Sequence, residues 1–371
     1  MSPLAERVLE MACAIQQIPA PTFAEARRAE FLRAQFAALG LVEVEQDADG
    51  NVFARRPRAG APGGPPAGPA LLVTAHTDTV FPPETPLALT RTPGRIHGPG
   101  IGDNSLGVAG LFGLVWALEG ETLPADLWLA ANVCEEGLGD LRGMRQVMAR
   151  LGDQVKATLV LEGMALGQIY HGGIGVRRLR FTAHAEGGHS WLNFGRPSAI
   201  HNLIRFGAQL TDLPAPARPR TSFNIGTLTG GTSVNTLART ASLDLDLRAE
   251  EPGALAALVG RVEALLEQHN RQGAQIEMAV IGDRPSGRLD PEHPLVALAI
   301  QAHQAAGCPA TLDSGSTDAN IPLSQGRPCV CIGLTYGGNA HRPDEYIETA
   351  PLENGLAALV STARQALAWG R

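Results

Sequence analysis

Leu127-Trp128-Leu129-Ala130-Ala131-Asn132-Val133-Cys134-Glu135-Glu136-Gly137 runs from an unbroken apolar segment into two adjacent carboxylates and a glycine. A near-continuous hydrophobic run of this length suits a strand covered on both faces in a parallel sheet. Carboxylates at the carboxyl end of such a strand stand where open α/β sheets place their ligands. An adjacent acidic pair is also a common solvated turn, so the pair gains meaning only from partners elsewhere in the chain.

Two further runs supply such partners. Pro69-Ala70-Leu71-Leu72-Val73-Thr74-Ala75 delivers His76-Thr77-Asp78, and Ala157-Thr158-Leu159-Val160-Leu161 ends in Glu162-Gly163. A metal-binding imidazole commonly donates its second ring N–H to a carboxylate, and His-x-Asp permits that arrangement. Between these runs stands Gly98-Pro99-Gly100-Ile101-Gly102-Asp103-Asn104. No apolar strand precedes it and the last glycine of a dinucleotide fingerprint is missing. It reads instead as a tight loop turning Asp103 inward before an apolar helix over residues 106–118, although an aspartate there is equally a plain helix cap. A short apolar strand over residues 328–333 leads to Gly337-Gly338-Asn339-Ala340-His341 and a second strand-end histidine.

The 371 residues exceed one typical core and imply two domains. With 44% hydrophobic residues and a formal charge of -7, the chain is expected to be globular and soluble. It has no basic stripe to follow a phosphate backbone, which argues against nucleic acid as a partner. Five scattered cysteines suggest reduced thiols and a cytoplasmic protein. Cys329 and Cys331, one residue apart, match neither a zinc ribbon nor a redox pair. Glu6, Arg7 and Glu10 argue against a signal peptide, and no later segment suits a bilayer span.

Residues 4–40 read as two helices broken at Ile18-Pro19-Ala20-Pro21-Thr22, followed by a hairpin turning at Asp49-Gly50-Asn51. The Gly, Pro and Ala between Pro57 and Pro69 read as a surface loop. Beyond about residue 173 the period changes to two, with a turn at Gly187-Gly188-His189-Ser190 and helices over 197–210 and 252–269. The order β-α-β-β-α-β is that of a split ferredoxin-like unit. Helical, parallel-sheet character returns at residue 294, with a polar loop Ser314-Gly315-Ser316-Thr317-Asp318-Ala319-Asn320 and a closing helix over 350–369. The expected fold is therefore an α/β catalytic domain with a mostly parallel sheet and flanking helices, residues 1–173 and 284–371. A small α+β ferredoxin-like domain, residues 174–283, interrupts it.

His76 and His341 with Asp103, Glu136 and Glu162 make a nitrogen and oxygen donor set that suits zinc, cobalt or manganese. With one carboxylate bridging, two such ions sit about 3.5 Å apart, polarise a carbonyl and activate a water. In an acidic pair the second member can bind metal while the first stays free as a general base, which gives Glu136 and Glu135 separate tasks.

The sequence resembles the dizinc metallopeptidase and amidohydrolase family of carboxypeptidase G, aminoacylase, acetylornithine deacetylase and succinyl-diaminopimelate desuccinylase. His76-Thr77-Asp78-Thr79-Val80-Phe81-Pro82 is similar to its first metal motif, Gly100-Ile101-Gly102-Asp103-Asn104 to its bridging-aspartate loop, Glu135-Glu136-Gly137 to its acidic pair, and Gly338-Asn339-Ala340-His341 to its last ligand. The resemblance implies a zinc-exopeptidase-like catalytic domain with two divalent ions, zinc before cobalt or manganese. His76, Asp103 and Glu162 would hold one ion, and Asp103, Glu136 and His341 the other. Asp78 would orient His76, and Glu135 would pass a proton from water to the leaving amine. The inserted domain would be a lid and dimerisation domain making a homodimer. Its His189 and Asn235 would reach a neighbouring subunit's site to stabilise the oxyanion, and Arg248 would clamp a substrate carboxylate. Asp318 looks like a family landmark with a structural or supporting part. Asn104-Ser105-Leu106-Gly107 departs from the Met-Lys-Gly or Lys-Gly of many relatives.

From spacing alone, His189 reads as a surface turn residue, Asn235 as a turn former and Arg248 as an exposed strand end. The resemblance favours function, and points to cleavage of an amide bond next to a free carboxylate in a small peptide or N-acyl amino acid, by a carboxypeptidase, dipeptidase or deacylase. A dizinc aminopeptidase is the nearest alternative. A catalytically silent binding protein on the same fold is another, against which the intact Glu135 and five ligands argue.

Overall fold

In the first helix, Pro3–Gln16, apolar Ala5, Val8, Leu9, Ala12 and Ile15 recur at helical spacing and are buried, while Pro3 and the hydroxyl of Ser2, which accepts from the Ala5 amide, start the helix. The computed structural model describes residues 1–60, 68–272 and 275–369. Residues 61–67, most of the expected Gly, Pro and Ala loop, lie outside the described residues. The chain divides into two units, Met1–Gly173 with Gly287–Arg371, and Ile174–Ser286.

The first unit is built on a nine-stranded sheet. Val42–Gln46, Val52–Arg56, Leu127–Asn132, Ala70–His76, Val155–Glu162, Cys329–Gly333, Gln168–Gly173 and Gly287–Arg288 lie side by side in that order, and Thr311–Gly315 also pairs with Gln168–Gly173. Ala70–His76 pairs in parallel with Leu127–Asn132 and with Val155–Glu162, which pairs in parallel with Cys329–Gly333. The apolar runs are continuous because both faces are covered. Leu127, Leu129 and Ala131 join the core formed with helices Pro3–Gln16, Gly107–Ala117 and Leu352–Ala368. Trp128 and Ala130 face the opposite core, made with Met144, Val147, Met148 and Leu151 of helix Arg142–Leu151. Each fully buried leucine or methionine side chain contributes roughly 1.5–3 kcal/mol, which fixes the register. In that register His76 lies opposite Asn132 and Glu162 opposite Gly333, so the strands deliver their last residues to one edge.

A second sheet in this unit joins Gly337–Gly338, Tyr346–Glu348, Arg95–His97 and Thr90–Thr92, all antiparallel. Strands of two or three residues carry no readable period, and sequence patterning did not reveal them. They tie the loop bearing His341 to the segment leading into Asp103. Ser314 and Gly315, expected in a polar loop, instead end the strand Thr311–Gly315. The acidic pair likewise stands past the strand: Leu127–Asn132 ends before Val133, and Cys134 turns the chain with φ +57°.

The second unit is a four-stranded antiparallel sheet in the order Thr221–Gly230, Thr240–Ala249, Gly175–His184, Ile276–Arg284, with helices Ala199–Thr211 and Pro252–Arg271. Burial alternates along Thr240–Ala249, where Ala241, Leu243, Leu245, Leu247 and Ala249 face the core and the residues between them do not. The expected turn at residues 187–190 is instead a short strand, Gly188–His189, paired with Thr236–Leu237. A two-residue strand with glycine before it looks like a turn until its partner is known. Among the described residues no helix is long and apolar enough to cross a membrane.

Candidate metal centre

His76, the last residue of its strand, is buried and presents both ring nitrogens to acceptors. Its Nδ1 lies 3.1 Å from the main-chain oxygen of Asp78 and 3.5 Å from that residue's Oδ1. Its Nε2 lies 3.2 Å from Asp103 Oδ1 and 3.7 Å from Glu162 Oε2. The other oxygen of Asp103, Oδ2, lies 3.1 Å from Nε2 of His341, which is in turn 3.2 Å from Glu136 Oε1. One carboxylate therefore faces two imidazoles, one with each oxygen. Tetrahedral sites with bonds of about 2.0–2.1 Å hold their ligand atoms about 3.3 Å apart. The spacing in both sets fits such ions.

Two donor groups result, His76 with Asp103 and Glu162, and Asp103 with Glu136 and His341. A third, His76 with Glu135 and Glu136, has its ligand atoms within 4.8 Å of one another. It places the Glu135 carboxylate beside both sets.

Main-chain hydrogen bonds hold these donors. Asp78 Oδ1 accepts from the amide of Glu135 and Oδ2 from the amide of Glu136, each at 2.9 Å, and Thr22 Oγ1 donates to Oδ2 as well. Asp78 thus clamps the backbone of the acidic pair in addition to facing His76. Glu162 is followed by Gly163, where a Cβ would stand 2.1 Å from the carbonyl oxygen of Gly102. Only a glycine lets the Glu162 strand end and the Asp103 loop approach this closely. The peptide bond from Asp103 to Asn104 is cis.

The electrostatics of the cluster are those of excess acid. Burial opposes a charge on His76, yet hydrogen bonds to Asp103, Asp78 and Glu162 outweigh it and raise its pKa well above the ordinary value. Asp103 and then Glu136 push His341 up to about 10. Burial would raise Asp103, but His341 and His76 hold it below the usual carboxylate range. Burial leaves Glu162 raised. Buried charges need partners, and two imidazoles are too few for Asp78, Asp103, Glu135, Glu136, Glu162 and Asp318. Divalent cations would supply the missing charge, so the donor set fits metal ions.

Sequence reasoning missed several supporting groups. Glu345 is fully buried, and its Oε1 accepts from the amides of Gly102 at 2.8 Å and Asp103 at 2.9 Å. Burial, then the charge of Asp103, pushes it up to about 7. Glu25 Oε1 accepts from the Cys134 amide at 3.1 Å, one residue before the acidic pair. Buried Arg28 donates from Nη1 to the carbonyl of Thr77 at 2.6 Å. Asn132 donates to Asp318 Oδ2 at 2.7 Å, and burial pushes Asp318 up to about 7. Nothing in the spacing of Glu25, Arg28 or Glu345 marks them. Asp318 was visible as a landmark without a partner.

His189, Asn235 and Arg248 belong to the second unit. His189 is exposed, and its Nδ1 accepts from the amide of Trp191 at 3.2 Å. The Ser190 amide donates to the main-chain oxygen of Asn235 at 2.9 Å, so the pairing of Gly188–His189 with Thr236–Leu237 brings His189 and Asn235 together. Arg248 Nε donates to Asp246 Oδ1 at 2.7 Å.

The family model for peptidase family M20/M25/M40 matches residues 72–365. No curated protein matches the sequence. Among solved structures, the chain is similar to a tripeptidase from Staphylococcus aureus, with TM-score 0.81, 19% identity and 98% and 99% of the two chains covered. It is similar to aminopeptidase PepT from Bacillus cereus, with TM-score 0.77, 22% identity and coverage of 98% and 99%. A dinuclear metal binding peptidase of Bacillus subtilis, YXEP, gives TM-score 0.69, 18% identity and coverage of 98% and 99%. At these identities the likeness is one of fold.

Proposed function

The chain belongs to peptidase family M20/M25/M40, and on that premise we propose that it hydrolyses an amide bond next to a free carboxylate in a small peptide or an N-acyl amino acid. The observation that carries this reading is the single Asp103 carboxylate facing His76 with one oxygen and His341 with the other, with Glu135 beside both donor sets. His76, Asp103 and Glu162 would hold one divalent ion and Asp103, Glu136 and His341 the other, zinc before cobalt or manganese. When bound, such ions polarise the scissile carbonyl and make the attacking water more acidic.

The chain's own residues do the rest. A Glu135 carboxylate oxygen takes the proton of the attacking water and gives it to the leaving nitrogen. Asp78 and Glu345 fix the main chain on either side, so Glu135, Glu136 and Asp103 project from backbone that cannot drift. His189 and Asn235, supplied by the inserted unit of a second copy in a homodimer, donate to the developing oxyanion. Exposed Trp191, Leu192, Phe194 and Val234 beside them in sequence support such an apolar contact. Arg248 recognises the substrate carboxylate with its planar donor pair. The free cysteines suit a reducing, cytoplasmic setting.

Glu135→Gln tests the assignment. It should keep about two metal ions per chain by elemental analysis and lose about 100-fold or more in turnover across a dipeptide and acyl-amino-acid panel. Turnover close to wild type would sink it.

A second reading, an aminopeptidase that ignores the substrate's carboxyl end, is favoured by one contact. Arg248 is already paired with Asp246, and a guanidinium so engaged is less available as a clamp.

A further inference from the structure

The second unit contains a cavity of about 420 Å³ at the start of helix Ala199–Thr211, and among the described residues no carboxylate lines it. Arg196, His201, Arg205 and His269 all border it. Arg196 reaches Glu186 at 3.4 Å, whereas Arg205 has no acidic partner among the described residues.

The helix start is unfinished on this side. Ser198 stands at the capping position and is only 4% exposed, yet its hydroxyl caps no amide and makes no other hydrogen bond among the described residues. The Ala199 amide donates to Ala238 and that of Asn202 to Ser198, while those of Ile200 and His201 have no acceptor among the described residues. A helix amino terminus concentrates partial positive charge on such amides and favours anions. The Ser198 side chain lines the cavity, so its hydroxyl, without a protein partner among the described residues, is a donor and acceptor open to an occupant. His269 is buried with Nε2 3.1 Å from Gln209 Oε1. Its pKa is lowered, by burial first and the positive charge of Arg205 second.

We infer that this cavity binds a small molecule through a doubly charged phosphate group, held by the His201 amide, the Ser198 hydroxyl and the guanidinium groups of Arg196 and Arg205. These donors exceed the roughly four acceptor positions of a carboxylate and suit a phosphate, whose three free oxygens accept more. The volume lies in the range of small-molecule sites, about 300–1,000 Å³, so there is room for an organic group beyond the phosphate. All the binding groups come from the second unit, and the site stands whether or not the reading of the metal centre does.

The test is calorimetric titration of the metal-loaded, full-length protein with inorganic phosphate, glycerol 3-phosphate and acetate, repeated with Arg205→Gln, Ser198→Ala and Glu136→Gln. Arg205 is exposed, so its loss leaves the core intact, and far-UV circular dichroism checks that. Arg205→Gln should weaken phosphate binding at least about tenfold, the loss expected for a charge-assisted hydrogen bond, and leave peptide turnover in phosphate-free buffer unchanged. Ser198→Ala should weaken it less, and Glu136→Gln should retain it. Tighter binding of glycerol 3-phosphate than of phosphate supports a phosphorylated metabolite as occupant, and equal binding supports free phosphate. Unchanged affinity in Arg205→Gln, binding lost in Glu136→Gln instead, or acetate bound as tightly as phosphate would overturn the inference.

Discussion

The two units each gather charge of one sign, and they do so in opposite ways. In the first, Asp78, Glu135, Glu136 and Asp318 are buried in loops that follow strands, with Asp103 and Glu162 beside them, and main-chain amides hold several of them in place. In the second, Arg196, His201 and Arg205 are exposed on a helix and the loop before it. Solvent screens exposed like charges at little cost, whereas buried ones need a counter-charge or a proton. Each cluster is the place where an ion of opposite sign is proposed above. On that reasoning only the buried cluster should gain stability from its ion.

Breaking the buried cluster should have the largest effect. Glu136→Gln removes a donor from the set that holds His341, so metal content should fall and turnover drop by about 1,000-fold or more, several kcal/mol of transition-state stabilisation. Elemental analysis beside kinetics separates this from Glu135→Gln, which should lose turnover with its metal in place. Two variants with the same metal content would erase the division of labour within the pair.

A smaller effect is expected at Arg248, which sharpens the contrast between a paired and an unpaired arginine. If Arg248 leaves Asp246 to clamp substrate, Arg248→Ala should lower kcat/KM about 10- to 100-fold, the worth of a charge-assisted bidentate contact. That loss should appear on substrates with a free carboxyl end and be absent on their amides. Equal losses on both would favour the aminopeptidase reading.

The smallest effect concerns pH. In metal-free protein, Glu345 and Asp318 are pushed up to about 7, so between the ordinary carboxylate range and that value the folded state holds more protons than the unfolded state. Stability should therefore fall as pH rises through this window, by about 1–3 kcal/mol. Lowered His269 has the opposite sign, since below its ordinary value the unfolded state holds the extra proton. Urea unfolding of chelated protein at about pH 5.5 and about pH 8 measures the net slope, and Asp318→Asn should flatten it. A stability that rises with pH across that range would show that other titrating groups outweigh the buried acids.

Strand ends were legible in the sequence because a buried strand announces itself as an apolar run and its last residues stand out against it. That is why His76, Glu162 and the acidic pair could be found by pattern. Glu345 could not, because its contact with Asp103 crosses 242 positions through strands too short to show a period. Arg28 and Glu25 lie on or beside an ordinary amphipathic helix, where a charge reads as a solvated face until packing buries it. The cationic cavity was equally hidden. Residues 196, 198, 201, 205 and 269 have no shared spacing, and only the packing of two helices brings them together.

The sequence by itself marked the longer helices and strands, the interruption of one domain by another and the residues expected to carry chemistry, since side-chain period and residue type are local properties. Tertiary structure alone decided which oxygen of Asp103 meets which imidazole, that Asp78 clamps the acidic pair by its amides, and that a helix start in the second unit lacks a partner. Those are distances between residues far apart in the chain, fixed by sheet register and core packing rather than by any neighbour in sequence.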